Sequence, residues 1–358
     1  MTTRIIAVVA FTALTTAISH GQIGKITQQD WATSRADAQR TSWIRGDAAI
    51  SLESMQKPGF ELQWKTTLDN QSRQLNALAG GVVMGNLGFG SIPVSFVTGS
   101  AERLFAVDND TGVVLWQRTF ESGGSGVSTL ECPGGITAAA TRPTTIVPTI
   151  PTWRGQPARA EYSSGVGAPG EGVPMSLMGR GATGRGGAPP TPAPAPANTA
   201  ARAGGSPAPA APSPPLPQVV YALSSDGQLH TLGPYSGKDL ARPLPFLPPG
   251  PHATDLIAVN NIVYAATMNG CGGLPDGVWA LDLVGDAKAV KAWRTDGGSP
   301  TGPPSFGTDG TLYVAIGPRS AAGSGGFANA VVALDAKELT VKDWFTQPGA
   351  ELWATRPP

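Results

Sequence analysis

Charge is scarce in this chain. Only 14% of its 358 residues are Asp, Glu, Lys or Arg, and 25 acids balance 25 bases. A formal net charge of zero gives no global field to gather a polyanion, which excludes nucleic acid and anionic membrane surfaces as partners read from charge. Histidine is almost absent, at His20, His230 and His252. There are two cysteines, Cys132 in ECPGG and Cys271 in NGCGG, and neither stands in a CxxC pair. That combination excludes a structural zinc site and leaves two alternatives for the sulfurs, one disulfide or two free thiols. No apolar period of 3.6 residues persists beyond about two turns after the N-terminus, which argues against a helical protein.

The N-terminus carries the one long apolar run. MTTR supplies a positive charge, IIAVVAFTALTTA (5–17) an apolar core, and AISHG the small residues that follow. This order reads as a secretory signal peptide over residues 1–21, cut after Ser19 or Gly21, with an uncleaved anchor as the alternative. No other run approaches 18 apolar residues, so we expect an exported chain with no membrane span once the signal is removed. Export permits disulfides.

What the chain has in excess is glycine and proline, 81 of 358 residues. Part of that excess lies in residues 145–216, typified by TPAPAPANTAARAGGSPAPAAPSPPLP. The stretch lacks apolar runs, and its composition predicts a disordered or polyproline-like insert. Residues 22–60 form a polar leader containing DWATSRADAQRTSW. From residue 61 the pattern is short alternating runs, such as GGVVMGN, PVSFVTGS and RLFAVD, bounded by turn residues, which predicts an all-β protein.

Those runs repeat. In RLFAVDNDTGVVLWQ, Ala106 and Asp108 are followed by Gly112 and Trp116. Ala280 and Asp282 are followed by Trp293, and Ala333 and Asp335 by Trp344. GQLHTLGPYSGKDL is a weaker copy, with Thr231, Gly233, Ser236 and Gly237 at the places of Ala106, Asp108, Thr111 and Gly112. Asp282 to Asp335 is 53 residues and Gly233 to Asp282 is 49, whereas Asp108 to Gly233 is 125. Removing the 72 residues of 145–216 brings that last spacing to 53. A period near 50 with several short strands per unit predicts a β-propeller whose insert falls between the first and second strands of one blade.

Residues 106–116 resemble the pyrroloquinoline quinone (PQQ) repeat, Ala-x-Asp-x-x-x-Gly-x-x-x-Trp, matching at Ala106, Asp108, Gly112 and Trp116. The turn before the Trp is three residues longer in the third copy and one longer in the fourth, and the second copy has neither the Asp nor the Trp. The resemblance spans roughly 61–346 outside the insert. It implies PQQ-like four-stranded blades, about four to five of them, fewer than in quinoprotein alcohol dehydrogenases. The chain is then either truncated or an incomplete array. It also implies that Trp116, Trp293 and Trp344 cement each blade to its neighbour, while Asp108, Asp282 and Asp335 bond local backbone NH groups in turns. Asp30 and Trp31 resemble the start of the leader that lies over the propeller in quinoprotein dehydrogenases.

The family includes quinoprotein dehydrogenases and non-catalytic scaffolds. The dehydrogenase pocket combines a disulfide between adjacent cysteines, a calcium held by Glu and Asn, an Asp base and a Trp floor. This chain has no Cys-Cys pair and no acid-rich loop resembling a calcium cage. Glu131 and Cys132 lie in a loop read as a connector between blades, His230 reads as an ordinary strand residue outside any Ser-His-Asp context, and GRGATGRGG (179–187) lacks the strand and helix of a phosphate loop. Three expectations follow. The first is a non-catalytic exported propeller that binds a protein or small-molecule partner. The second is a degenerate or truncated PQQ- and calcium-dependent oxidoreductase. The third is a polymer-binding propeller with Tyr235 or Trp353 exposed. Cys132 and Cys271 both fall in Gly-rich loops that open on the same propeller face, which makes them the predicted disulfide pair.

Overall fold

A computed structural model describes residues 30–43, 52–56, 61–73, 77–87, 92–121, 128–146, 217–284, 288–319 and 326–346. The signal segment, most of the leader, the insert from residue 147 to 216 and Trp353 lie outside the described residues.

The regular structure of the described chain is almost entirely antiparallel sheet, as the alternating runs predict. Four sheets follow one another along the sequence. The first consists of β1 (Val82–Leu87), β2 (Ile92–Gly99), β3 (Arg103–Asp108) and β4 (Val114–Thr119), paired in that order. After β5 (Pro143–Thr144), the second sheet holds β6 (Val220–Leu223), β7 (Gln228–Leu232) and the short β8 (Leu244–Pro245). Thr141 bridges Tyr221 antiparallel and so stands in this sheet's first lane, while β5 continues alongside the next sheet. The insert therefore leaves between the first and second lanes of the second blade.

The third sheet is β9 (Ile257–Val259), β10 (Ile262–Thr267), β11 (Gly277–Asp282) and β12 (Val290–Arg294), with β5 parallel to β9. In the fourth, the first lane is split into β13 (Gly298–Pro300) and β14 (Ser305–Phe306), both paired with β15 (Leu312–Arg319). It ends with β16 (Ala330–Leu334) and β17 (Val341–Thr346).

Because both faces of each inner sheet are apolar, the core lies between sheets. There are three buried clusters, one per joint. Phe96, Leu104 and Ala106 of the first sheet pack with Ala140, Val220, Ala222 and Leu232 of the second. Leu223, Leu229 and Phe246 pack with Val263, Ala265 and Leu281. Ile257, Tyr264 and Val278 pack with Leu312, Val314 and Val332. Each fully buried side chain of this size contributes about 1.5–3 kcal/mol by leaving water.

The leader crosses all four sheets at their first lanes. Trp31 exchanges backbone hydrogen bonds with Val83. The carbonyl of Ala32 accepts from Arg142 N at 2.7 Å and Thr141 Oγ1 at 3.1 Å. Thr33 Oγ1 donates to Leu256 O, and Phe306 N donates to Ala38 O, both at 2.9 Å. Arg40 fastens the segment. Its Nε donates to Pro304 O at 2.8 Å, Nη1 to Ser34 O at 2.8 Å and Nη2 to Asp255 O at 3.1 Å. Burial lowers the Arg40 pKa to about 10, which leaves it charged at neutral pH.

Candidate functional site: the joints between blades

The repeat turns come first, because they set the geometry of the joints. Asp108 O accepts from Gly112 N at 2.8 Å and Asp108 N donates to Val113 O at 2.9 Å. The same two bonds recur from Gly233 to Gly237 and Lys238, and from Asp335 to Leu339 and Thr340. The carboxylates cap these turns. Asp108 Oδ1 accepts from the amides of Asp110 and Thr111, and Asp335 Oδ1 from those of Lys337 and Glu338. Asp282 Oδ1 accepts from Val284 N at 2.9 Å. The amide bonds, led by Asp110 N for Asp108 and Glu338 N for Asp335, hold both carboxyls below their ordinary pKa. All three side chains are thus occupied as turn caps.

The fifth position of the turn takes positive φ, +72° at Gly112 and +63° at Gly237, and an indole from the preceding unit covers it. A Cβ on Gly112 would stand 2.6 Å from Trp64, and one on Gly237 2.6 Å from Trp116. Trp64 Nε1 donates to Asn109 O and Trp116 Nε1 to Pro234 O, each at 2.8 Å and each three residues before its glycine. Two residues after each Trp, Thr66 Oγ1 and Arg118 Nη1 donate to the carbonyls of Gly112 and Gly237. Trp64, in a stretch outside any strand, therefore repeats the docking of Trp116 onto the glycine turn.

The other two repeat tryptophans, Trp293 and Trp344, depart from this pattern. Leu339, at φ +55°, stands where a glycine would, and the carbonyl that would take an indole NH, Ala336 O, accepts from Tyr264 OH at 2.9 Å. Trp293 lies instead 5.5 Å from the Phe327 ring. Trp344 requires a correction, since it is not offered to a following blade. In the first sheet Trp116 pairs with Ala106, but in the fourth Asp343 pairs with Ala333, and Trp344 falls opposite Val332. Val332 is fully buried against the third sheet. The turn and register of β16 and β17 match those of β3 and β4, so Trp344, one place further along its strand than Trp116, faces the opposite side of the sheet. Trp344 consequently turns back toward Phe327, 5.9 Å between rings, and stays 58% exposed.

His230 is also more connected than its strand position implies. Its Nε2 lies 3.1 Å from Ser224 Oγ and its Nδ1 2.9 Å from Asp239 Oδ1. Sequence reading missed this Ser-His-Asp line, whose members are spaced by the register of β6 and β7 and by the following turn rather than by any motif. Ser224 is 1% exposed, and its hydroxyl also meets Gln228 O and Asp226. The line runs across the joint. Asp239 pairs with Arg118 of the first sheet, and Phe120 stacks on His230 with centroids 4.6 Å apart. Nearby, Glu102 is buried, its Oε1 has no hydrogen-bond partner, and burial raises its pKa.

Cys132 and Cys271 are joined in a disulfide with Cα atoms 5.5 Å apart, within the range such a bond requires. The bridge ties the connector between the first two blades to a loop of the third. Glu131 O joins the same knot, accepting from His252 Nδ1 at 2.7 Å and Asn269 Nδ2 at 2.9 Å. The sulfurs are 139 residues apart in sequence, so the knot is not the vicinal disulfide of a quinone pocket. Among the described residues no three His, Cys, Asp or Glu side chains group as metal ligands. A cleft of about 390 Å³ opens between the third and fourth blades, lined by Asn260, Asn261, Tyr264, Asp282, Phe306 and Lys337. Tyr235 is 61% exposed.

No family model matches this chain, and no curated protein matches it. Solved structures do. Quinohemoprotein alcohol dehydrogenase ADHIIG from Pseudomonas putida HK5 aligns with a TM-score of 0.50 at 14% identity, over 89% of this chain and 40% of that one. The chain folds as PQQ-like propeller blades. Quinohemoprotein alcohol dehydrogenase from Comamonas testosteroni gives 0.48 at 14% identity over 89% and 41%, and BamB from Moraxella catarrhalis 0.32 at 11% over 80% and 65%. The chain spans about two fifths of the length of the two dehydrogenases. Among the described residues no helix is long and apolar enough to cross a membrane.

Proposed function

We propose that this chain is an exported, non-catalytic PQQ-like propeller that serves as a binding scaffold. We read residues 1–21 as its signal, 22–60 as a leader and 61–358 as blades interrupted by the 145–216 insert. One observation carries the reading: the chemistry-bearing clusters at these joints are spent on holding blades together. The repeat aspartates cap turns, the Ser224–His230–Asp239 line is buried in a joint, and the disulfide knots loops of different blades. A scaffold needs such rigidity, whereas a catalyst needs reactive groups that a substrate can reach.

The second reading, a PQQ- and calcium-dependent oxidoreductase of which this is a degenerate or partial form, has the fold likeness to ADHIIG in its favour. Purified protein incubated with PQQ and calcium separates the two. We expect no quinone absorbance retained after gel filtration and no dye-linked alcohol oxidation. Retained PQQ with alcohol-dependent dye reduction overturns the scaffold reading.

A further inference from the structure

His230 meets an oxygen at each ring nitrogen, and what those oxygens can do fixes its protons. Asp239 Oδ1 lies 2.9 Å from Nδ1. The other oxygen of Asp239 takes Arg118 Nη2 of the first blade, so the carboxylate accepts on both sides. Nδ1 therefore carries a proton. Ser224 Oγ lies 3.1 Å from Nε2 and has a single proton to give. Two other groups claim that proton, Asp226 Oδ1 and, at 3.1 Å, Gln228 O. As a carboxylate and a carbonyl, neither can donate in return, and Asp226 Oδ1 also accepts from Gln228 N at 3.2 Å. Toward His230 the hydroxyl is left as an acceptor, so Nε2 carries a proton as well. The set of contacts closes only around an imidazolium.

The surroundings suit that cation and tie it to the first blade. The Phe120 ring lies 4.6 Å from the His230 ring and 5.4 Å from the Arg118 guanidinium, so one aromatic of the first blade serves both cations. Asp239 and Asp226 favour the charge, whereas Arg118, which shares Asp239, opposes it. Glu102 stands on the far side of the Ser224–Ser225 turn, accepting from Ser225 N at 3.4 Å, with Arg73 acting on it. Asp239 in turn steadies Arg118, whose Nη1 donates to Gly237 O in the turn that Trp116 covers. The His230 side chain is only 10% exposed, so water does not readily replace a partner lost here.

The geometry points to a proton-dependent clasp between the first and second blades, in which His230 as the imidazolium donates to Asp239 and Ser224 at once and gives up one of these bonds when its proton leaves for solvent. Loss from Nδ1 sets a lone pair against the Asp239 carboxylate. Loss from Nε2 does the same at Ser224 Oγ, unless the hydroxyl turns and strips Asp226 and Gln228 O of their donor. The clasp is therefore closed in acid and loosened as pH rises, the sign expected of a group whose charged form is the bonded one. The inference goes beyond the scaffold reading and stands whether or not the chain binds PQQ.

Ring nitrogen NMR of the full exported chain with 15N-labelled histidine tests it, run from about pH 5 to about pH 9 beside amide hydrogen exchange corrected for the intrinsic effect of pH. The His230 ring is assigned by its contact with Phe120. We expect both of its nitrogens protonated at the acid end. As one proton is lost, protection across β4 and the 233–238 turn should fall about tenfold or more, while the joint between the third and fourth blades keeps its protection. His230→Gln should abolish that fall, and Glu102→Gln should leave a fall that still tracks the ring. A ring with one proton at the acid end overturns the proposal, as does protection that stays constant while the ring deprotonates; both are read from the wild type, whether or not His230→Gln folds. A fall that persists in His230→Gln and vanishes in Glu102→Gln also overturns it and assigns the pH response to Glu102.

Discussion

Trp116 lies against Gly237 of the next blade and donates its indole NH to Pro234 O at 2.8 Å. The contact depends on a missing atom. At φ +63° only glycine sits without strain, and any Cβ there would occupy space that Trp116 fills.

Gly237→Ala should therefore cost at least about 2 kcal/mol, from the left-handed backbone and the overlap together. Gly273→Ala is the matched control. It has φ +74° with nothing within 4 Å of the added methyl, and should cost only about 1 kcal/mol. Chemical denaturation of both variants makes the comparison. Equal losses would mean that the indole yields and the joint is loosely packed.

Trp116→Ala should cost about 3 kcal/mol, at the lower end for a large aromatic because the side chain is only part-buried. Trp344→Ala should cost less than about 1 kcal/mol, since most of that ring already meets water. The same denaturation measurement distinguishes them. A reversed order would show that Trp344 rather than Trp116 is the docked ring.

That pair marks how far sequence reading reaches. The spacing of Ala106, Asp108, Gly112 and Trp116 made the blade, its turn and its docking Trp legible, because period-2 alternation and a glycine turn are local properties. Trp64 was not legible as a docking residue, although its turn contacts repeat those of Trp116, because no Ala-x-Asp turn precedes it. Trp344 was misread because the face a strand residue takes depends on parity, and Trp344 stands one place further along its strand than Trp116 in the same register. The Ser224–His230–Asp239 line was invisible for a related reason: register and a turn, not sequence order, bring its members together.

Glu102→Gln should stabilise the protein at pH above the ordinary carboxylate range. Burial raises the Glu102 pKa, against which the hydrogen bonds from Ser225 act only in part. A carboxyl with its folded pKa above the unfolded value favours the native state at low pH, and that contribution is lost as pH rises through the folded pKa. The gain of the Gln variant over wild type should therefore grow as pH rises from the ordinary carboxylate range and level off above the raised folded pKa. Thermal melts across that range settle it. A gain that does not depend on pH would show that Glu102 titrates alike in the folded and unfolded chain.

The disulfide should be present without added oxidant. Thiol titration of unfolded, unreduced protein is expected to find no reactive sulfur, and two after reduction. Cys271→Ser should cost about 2–5 kcal/mol, because the loop it releases is long. Two reactive thiols before reduction would remove the knot from the account.

Arg40 supports the last prediction. Its guanidinium donates to carbonyls on both sides of the leader, Ser34 O within it and Pro304 O and Asp255 O on two different blades. Removing the head group leaves these acceptors unpaired in a dry setting, at about 1–3 kcal/mol each. Arg40→Met keeps most of the stem and should release the leader before the blades unfold. Arg40→Lys restores the charge but has no planar fork to reach all three, so it should rescue only part of the loss. Limited proteolysis reads this directly. Cleavage within residues 30–43 should be fastest in Arg40→Met, intermediate in Arg40→Lys and slowest in wild type, with the blade fragments surviving in each. Simultaneous loss of leader and blades would instead make the segment an inseparable part of the core.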